Sequence, residues 1–288
     1  MHENVGPRVF GKNLDNQAEK ASKNLKSKKD TTLDELGGKE NLINDAIWTK
    51  EGLSKLDSPQ LVSLYQQEIY EFLYEKEKSM GEPNFQMAST KINDTVRATT
   101  VRYIVKLVRC FNLKPETLFQ TVDLMDQTIP LLNPEIGELE LVSLTCLFIA
   151  SKYEEIYPPP LAALLRATDI KAKDVIEMEK EILNKLNFNV ISDNTLVWLQ
   201  LIGEMLGYNC KYSDQIKQRC MSLAETSLTS SLFLNHKKSA IALNIFMAVE
   251  INLGCQKTQF KWERLTQHQK PSNESKTLKL LTYILKIK

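Results

Sequence analysis

The sequence predicts an all-α protein, two five-helix bundles in tandem preceded by one further helix. Three observations predict it. From Ile92 to the carboxyl end, apolar residues recur at helical spacing in segment after segment, and no stretch alternates apolar and polar residues as a half-buried strand would. Two segments, Leu139 to Pro160 and Ser239 to Leu253, are apolar nearly all round, as suits a helix enclosed by others. Helix count and order, with the apolar member third, repeat in the two halves, which predicts an internal structural duplication without visible sequence identity.

Residues 1–57 are rich in Lys, Asn, Asp, Ser and Gly, with too few apolar side chains to offset the entropy of ordering them, so this arm is expected to be disordered. Residues 58–90 hold a helix and a linker. Asp57-Ser58-Pro59 supplies the start signal and Gly81-Glu82-Pro83 the stop, giving a helix over about 59–79. Its expected apolar stripe is Leu61, Leu64, Tyr65, Ile69, Phe72 and Leu73, with Lys76 in line.

The first bundle spans 91–191, with helices expected over 92–111, 115–129, 136–153, 159–167 and 172–187. Breaks fall at Lys114-Pro115, at Pro130 to Gly137, at Pro158 to Pro160, near Thr168 to Lys171 and near Asn187 to Asn194. The second bundle, 192–288, is expected to hold helices at Thr195 to Leu206, Ser213 to Thr229 and Lys237 to Leu253, a shorter element near Gln259 to Leu265, and a last helix from Glu274 to Ile287.

Composition narrows the function classes. At a formal net charge of +1 the chain has no overall field to draw it to nucleic acid or to an anionic membrane. Five cysteines without a C-x-x-C pair argue against a secreted disulfide framework, and no signal segment or membrane-length apolar run occurs, so a soluble intracellular protein is expected. No phosphate-binding glycine loop, H-E-x-x-H or cysteine cluster is evident, and His2, His236 and His268 are scattered. Enzymatic activity, a metal site and a cofactor are therefore not expected.

The informative residues are charges on the wrong face. In the helix from 92, Val96, Tyr103, Ile104, Leu107, Val108 and Phe111 form the apolar side and Arg97 lies within it. In the next helix Asp126 lies among Leu118, Phe119, Val122, Met125 and Ile129. A lone buried charge costs at least several kcal/mol whereas a hydrogen-bonded pair is tolerated, so Arg97 and Asp126 are expected to meet as a structural ion pair. The alternative is two edge residues that reach solvent separately.

Glu179 repeats the pattern among Val175, Met178, Ile182, Leu183 and Leu186, and its expected partner is Lys152, in the last turn of the central helix. An acid and a base beside Leu183, Leu186, Phe188 and Val190 make an apolar surface with two charges at its edge, as on a protein-binding face.

These residues resemble the cyclin family, close to the mitotic A/B group. The carriers are Val96-Arg97-Ala98, Lys114-Pro115-Glu116-Thr117-Leu118, Asp126, Leu139-Glu140-Leu141, Ala150 through Pro159, Met178-Glu179 and Leu186-Asn187-Phe188. The resemblance implies a cyclin fold and the role of regulatory subunit of a cyclin-dependent Ser/Thr kinase in cell-cycle control, present in nucleus and cytoplasm. Arg97, Asp126, Leu141, Lys152 and Glu179 match the family's five signature residues. Lys152 and Glu179 would bond main-chain groups beside the kinase C-helix, and Tyr153, Leu183, Leu186, Phe188 and Val190 would seat that helix.

The family's groove for substrate motifs aligns here with Val96, Thr99, Thr100, Tyr103 and Lys106, flanked by Leu139 and Glu140. Threonines stand where aliphatic residues are usual, and Lys106 where an acid is usual, which implies a degenerate groove and weak docking of arginine-containing motifs. In the amino-terminal arm, Lys39-Glu40-Asn41 resembles a degron read by the anaphase-promoting ubiquitin ligase, and Pro7 to Gly11 resembles a destruction box with altered spacing. A rival reading is a cyclin-fold adaptor of the transcription machinery, which the near-neutral charge and the absence of an evident basic helix disfavour.

Overall fold

The computed structural model describes residues 65–81, 91–205, 213–253, and Lys279 and Leu281. The amino-terminal arm with Lys39, Glu40 and Asn41 lies outside the described residues, as does the element expected near 259–265. Every regular element described is helical. The helices are α1 (Gln66–Ser79), α2 (Asp94–Cys110), α3 (Pro115–Leu132), α4 (Leu139–Glu154), α5 (Leu161–Leu164), α6 (Ala172–Lys185), α7 (Thr195–Met205), α8 (Ser213–Leu228) and α9 (Lys238–Leu253). Among the described residues, no helix is long and apolar enough to cross a membrane.

The chain divides into two compact units, one taking Gln86–Ser192 and the other Trp48–Phe85 with Asp193–Lys288. In the first, α4 packs against α2, α3 and α6. Its buried side chains run through consecutive positions from Val142 to Leu147 and on to Ile149, Ala150 and Ser151, so no side of it is polar. The polar groups on it are satisfied along the helix, with the Thr145 hydroxyl donating to the Leu141 carbonyl at 2.7 Å and Ser151 to Phe148 at 2.9 Å. Burial pushes the Cys146 thiol up to about 12, which leaves it an inert apolar filler.

The helix ends follow from local chemistry. Asn93 caps α2 by accepting the Val96 N–H at 2.9 Å. At its other end Asn112 takes φ 52°, and the bonds Leu113 N–H to Val108 and Asn112 N–H to Arg109 close a Schellman motif. Asparagine does the work usually given to glycine because its side chain tolerates the left-handed region. α6 ends the same way at Asn187, φ 49°, with Phe188 N–H bonded to Leu183 and Asn187 N–H to Asn184. α3 runs past Pro130 to Leu132 and stops at Asn133, φ 45°, so proline is carried in the last turn and does not end the helix. The single helix expected over 159–167 is one α-turn, Leu161–Leu164, continued as the 3-10 turn Leu165–Ala167.

In the second unit α9 is the enclosed helix, packed on α7 and α8, with Ile241, Ala242, Asn244, Ile245, Phe246, Ala248, Val249 and Glu250 buried. Gly203 of α7 faces the Phe246 ring of α9, which would lie 3.4 Å from a Cβ there, an ordinary van der Waals contact. α1 belongs to this unit. Tyr70 meets Trp198 edge to face at 5.7 Å between centroids, Lys76 pairs with Asp193 at 2.6 Å, and Glu77 accepts from both the backbone and the hydroxyl of Ser239 in the first turn of α9. A carboxylate there also complements the helix dipole.

This corrects the expected stripe of the first helix. Tyr70 and Leu73 are buried, while Tyr65 and Phe72 are 55% and 68% exposed. Apolar and aromatic residues at 65, 69, 70, 72, 73 and 74 spread over just more than half the helix circumference, and the anchoring of Lys76 and Glu77 selects the side that carries Tyr70 and Leu73.

Candidate functional site

Two charge pairs organise the first unit. Arg97 on α2 donates through Nε and Nη2 to the two carboxylate oxygens of Asp126 on α3, each at 2.7 Å. The side chains are 2% and 9% exposed, so this fork closes a buried ion pair that ties α2 to α3.

The second pair lies at the surface. The Lys152 ammonium, at the end of α4, donates to Glu179 Oε1 on α6 and sits 4.1 Å over the centroid of the Phe148 ring. Lys152 is 41% exposed and Glu179 15%. The pair is held from two sides, by the ring below and the carboxylate beside it, yet it is open to another molecule.

An apolar surface adjoins it. Tyr153 and Phe188 are exposed, and Leu183, Leu186 and Val190 are half-buried. Phe188 holds φ 58°, uncommon for a bulky residue, and follows Asn187 in the same region, so the chain turns sharply after α6 and presents the ring outward. Sequence reasoning missed Ile156, Tyr157 and Ile191, which are 78%, 90% and 55% exposed. For Ile156 and Tyr157 the signal was available in the three prolines that follow, which bar any helix that could bury them.

The end of α4 is fixed to the start of α3. Lys114 has no side-chain cap for α3, and Glu155 supplies it from across the fold, accepting the Lys114 N–H at 2.7 Å and the Thr117 hydroxyl at 2.6 Å. Lys114 Nζ donates in turn to the Glu154 carbonyl at 2.6 Å. Burial, then the Glu116 carboxylate, raises the Glu154 carboxyl above its ordinary value, with Lys114 opposing. Glu155, at a helix end before three prolines, is thus a tertiary cap.

The residues of the expected degenerate docking groove differ in exposure. Val96, Thr100, Tyr103 and Leu139 are buried, and only Thr99, Lys106 and Glu140 keep partial exposure. Val96, Thr100 and Tyr103 are one turn apart on one side of α2, where the Thr100 hydroxyl is satisfied by the Val96 carbonyl at 3.0 Å and the buried Tyr103 hydroxyl meets no hydrogen-bond partner among the described residues. Leu141 is half-buried on α4. Among the described residues no group of three or more His, Cys, Asp or Glu could hold a metal ion.

Residues 68–191 match the family model described as the cyclin N-terminal domain. The chain is 31% identical over 179 residues to the G2/mitotic-specific cyclin-1 of Saccharomyces cerevisiae, covering 62% of this chain and 38% of that protein. It is also 31% identical over 178 residues to the G2/mitotic-specific cyclin-A of Hydra viridissima, covering 61% and 42%. The chain thus spans about two fifths of the length of these relatives. In fold it is similar to the X-ray structure of a viral cyclin from Herpesvirus saimiri, with a TM-score of 0.59 at 16% identity, covering 68% of this chain and 87% of that one.

Proposed function

The chain belongs to the cyclin family, and on that premise we propose that it binds and activates a cyclin-dependent Ser/Thr kinase as a non-catalytic regulatory subunit in cell-cycle control. One observation carries the reading: an exposed Lys152–Glu179 pair at the rim of the apolar surface of Tyr153, Leu183, Leu186, Phe188 and Val190. In a kinase, the C-helix glutamate must reach the lysine that holds the ATP phosphates, and the activation loop must open for substrate. A rigid bundle that docks on the C-helix selects this arrangement by binding it better than the inactive one. Lys152 and Glu179 would satisfy backbone groups beside that helix, and Phe188 and Val190 would pack on its apolar side.

Co-purification with candidate cyclin-dependent kinases, followed by a phosphorylation assay, tests the proposal. Lys152→Glu is expected to abolish association and leave the helical circular dichroism intact. Association unchanged by that substitution would count against this face.

The same reading assigns the chain to nucleus and cytoplasm and makes Lys39, Glu40 and Asn41 a degron for the anaphase-promoting ubiquitin ligase. It rests on the family premise and on the tripeptide itself. A tagged chain lacking Lys39 to Asn41 is expected to persist through mitotic exit in both compartments, and loss at the intact rate would rule the degron out.

A further inference from the structure

The apolar seat is carried partly by a segment with no regular structure, from Leu186 to Ser192, where the chain leaves the first unit. Its local bonds are few and tight. Its first residues bond back to α6 through Asn187 and Phe188 N–H, whereas Asn189 N–H donates to Leu186 at 2.9 Å and Val190 N–H to Phe188 at 3.1 Å, which curls the backbone beyond Phe188 without tying it to a further helix. The attachment comes from α3. Gln120 is 2% exposed, and its side-chain amide nitrogen donates to the Val190 carbonyl while its oxygen accepts the Ser192 hydroxyl at 3.3 Å.

Both ends of one buried amide are thus used by the same segment. A primary amide is the one neutral side-chain group that offers a donor and an acceptor side by side on a rigid plane. Burial makes the bonds consequential, because a Val190 carbonyl left without a donor there has no full replacement in water.

We infer that Gln120 is a positioning residue for the partner face: its amide clasps Val190 and Ser192 and thereby sets where Phe188 and Val190 stand relative to Lys152 and Glu179. This inference rests on the kinase-binding reading of that face. Gln120 does not touch the partner. It acts through the segment, so α3 takes part in recognition although it presents little surface of its own.

The test uses the full chain in four forms: intact, Gln120→Leu, Ser192→Ala and Lys152→Glu. Each is measured by amide hydrogen exchange in the free state and by affinity for the cyclin-dependent kinase that the intact chain captures. Gln120→Leu keeps the volume and removes both bonds. It is expected to speed exchange of the Asn189 and Val190 amides about tenfold while the amides of α2 and α4 hold, and to weaken kinase binding by about tenfold.

Ser192→Ala removes the longer bond alone, with about two- to threefold changes expected in the same direction. Unchanged local exchange and affinity in Gln120→Leu would overturn the inference, and so would equal acceleration throughout α2 to α6, the mark of general loosening. Should Gln120→Leu fail to fold, Ser192→Ala decides, and no change at Asn189 and Val190 overturns it. Binding unaffected by Lys152→Glu would overturn the assignment of the face and leave the clasp to be judged on exchange. Capture of no kinase by the intact chain would overturn the reading and the inference together.

Discussion

Arg97–Asp126 and Lys152–Glu179 are the same chemistry made in two places of one bundle, each joining an acid and a base on adjoining helices. The first is a two-bond fork with side chains 2% and 9% exposed. The second is a single contact whose lysine side chain is 41% exposed and whose ammonium rests on an aromatic ring. Where water is excluded, nothing replaces a lost partner, so the inner pair can only hold helices together. At the rim, water or another molecule's backbone can take over the bonds at small cost, and the pair becomes available for recognition. Exposure separates the two roles, not residue type.

The largest effect that would break or sharpen this contrast is expected at the inner pair. Asp126→Ala leaves the Arg97 guanidinium buried without its carboxylate and should cost about 3–5 kcal/mol in urea unfolding. The double change Arg97→Met with Asp126→Leu should recover most of that loss. A double variant as unstable as the single one would mean the pair does more than cancel its own charges.

At the rim the expected signs differ. Lys152→Glu should change folding stability by only about 1 kcal/mol or less, because an exposed pair contributes little. The same substitution should cost about 2–5 kcal/mol of kinase affinity, the range for truncating one partner of a charged contact buried on binding. A melting transition displaced as far as that of Asp126→Ala would move Lys152 to the packing side of the comparison.

The smallest effect concerns the carboxylates that end α4. The folded state raises the Glu154 carboxyl, by burial first and Glu116 second, so it favours the protonated form. Stability from this group is therefore fully present below the ordinary carboxylate value and lost as pH rises through the raised one. Glu154→Gln should flatten that decline, read as the pH dependence of the unfolding midpoint from acid to neutral. An unchanged profile would show that another group sets the slope.

Much of the fold is legible in the sequence for an identifiable reason. Helices α2, α3, α4 and α6 begin and end within three residues of the expected bounds, since Pro115, Asn112, Asn133 and Asn187 impose local backbone geometry whatever surrounds them. The buried charges Arg97 and Asp126 were legible too, because an apolar stripe interrupted by one charge demands a partner. The face of α1 was not. Its apolar residues allow more than one buried side, and Trp198, Asp193 and Ser239, all remote in sequence, make the choice.

The site divides along the same line. Periodicity finds which helices exist and which residues cannot face water without a partner, because spacing within one helix is fixed by 3.6 residues per turn. Local sequence therefore determined the helical class, the enclosed third helices and the need of Arg97, Asp126 and Glu179 for partners. Only the tertiary structure decided that Glu155 caps a helix 38 residues away through Thr117, that Gln120 holds Val190 and Ser192, and that Val96 and Tyr103 are sealed. Each of these is a meeting of residues remote along the chain, and no spacing rule within one helix carries information about which distant segment folds back against it.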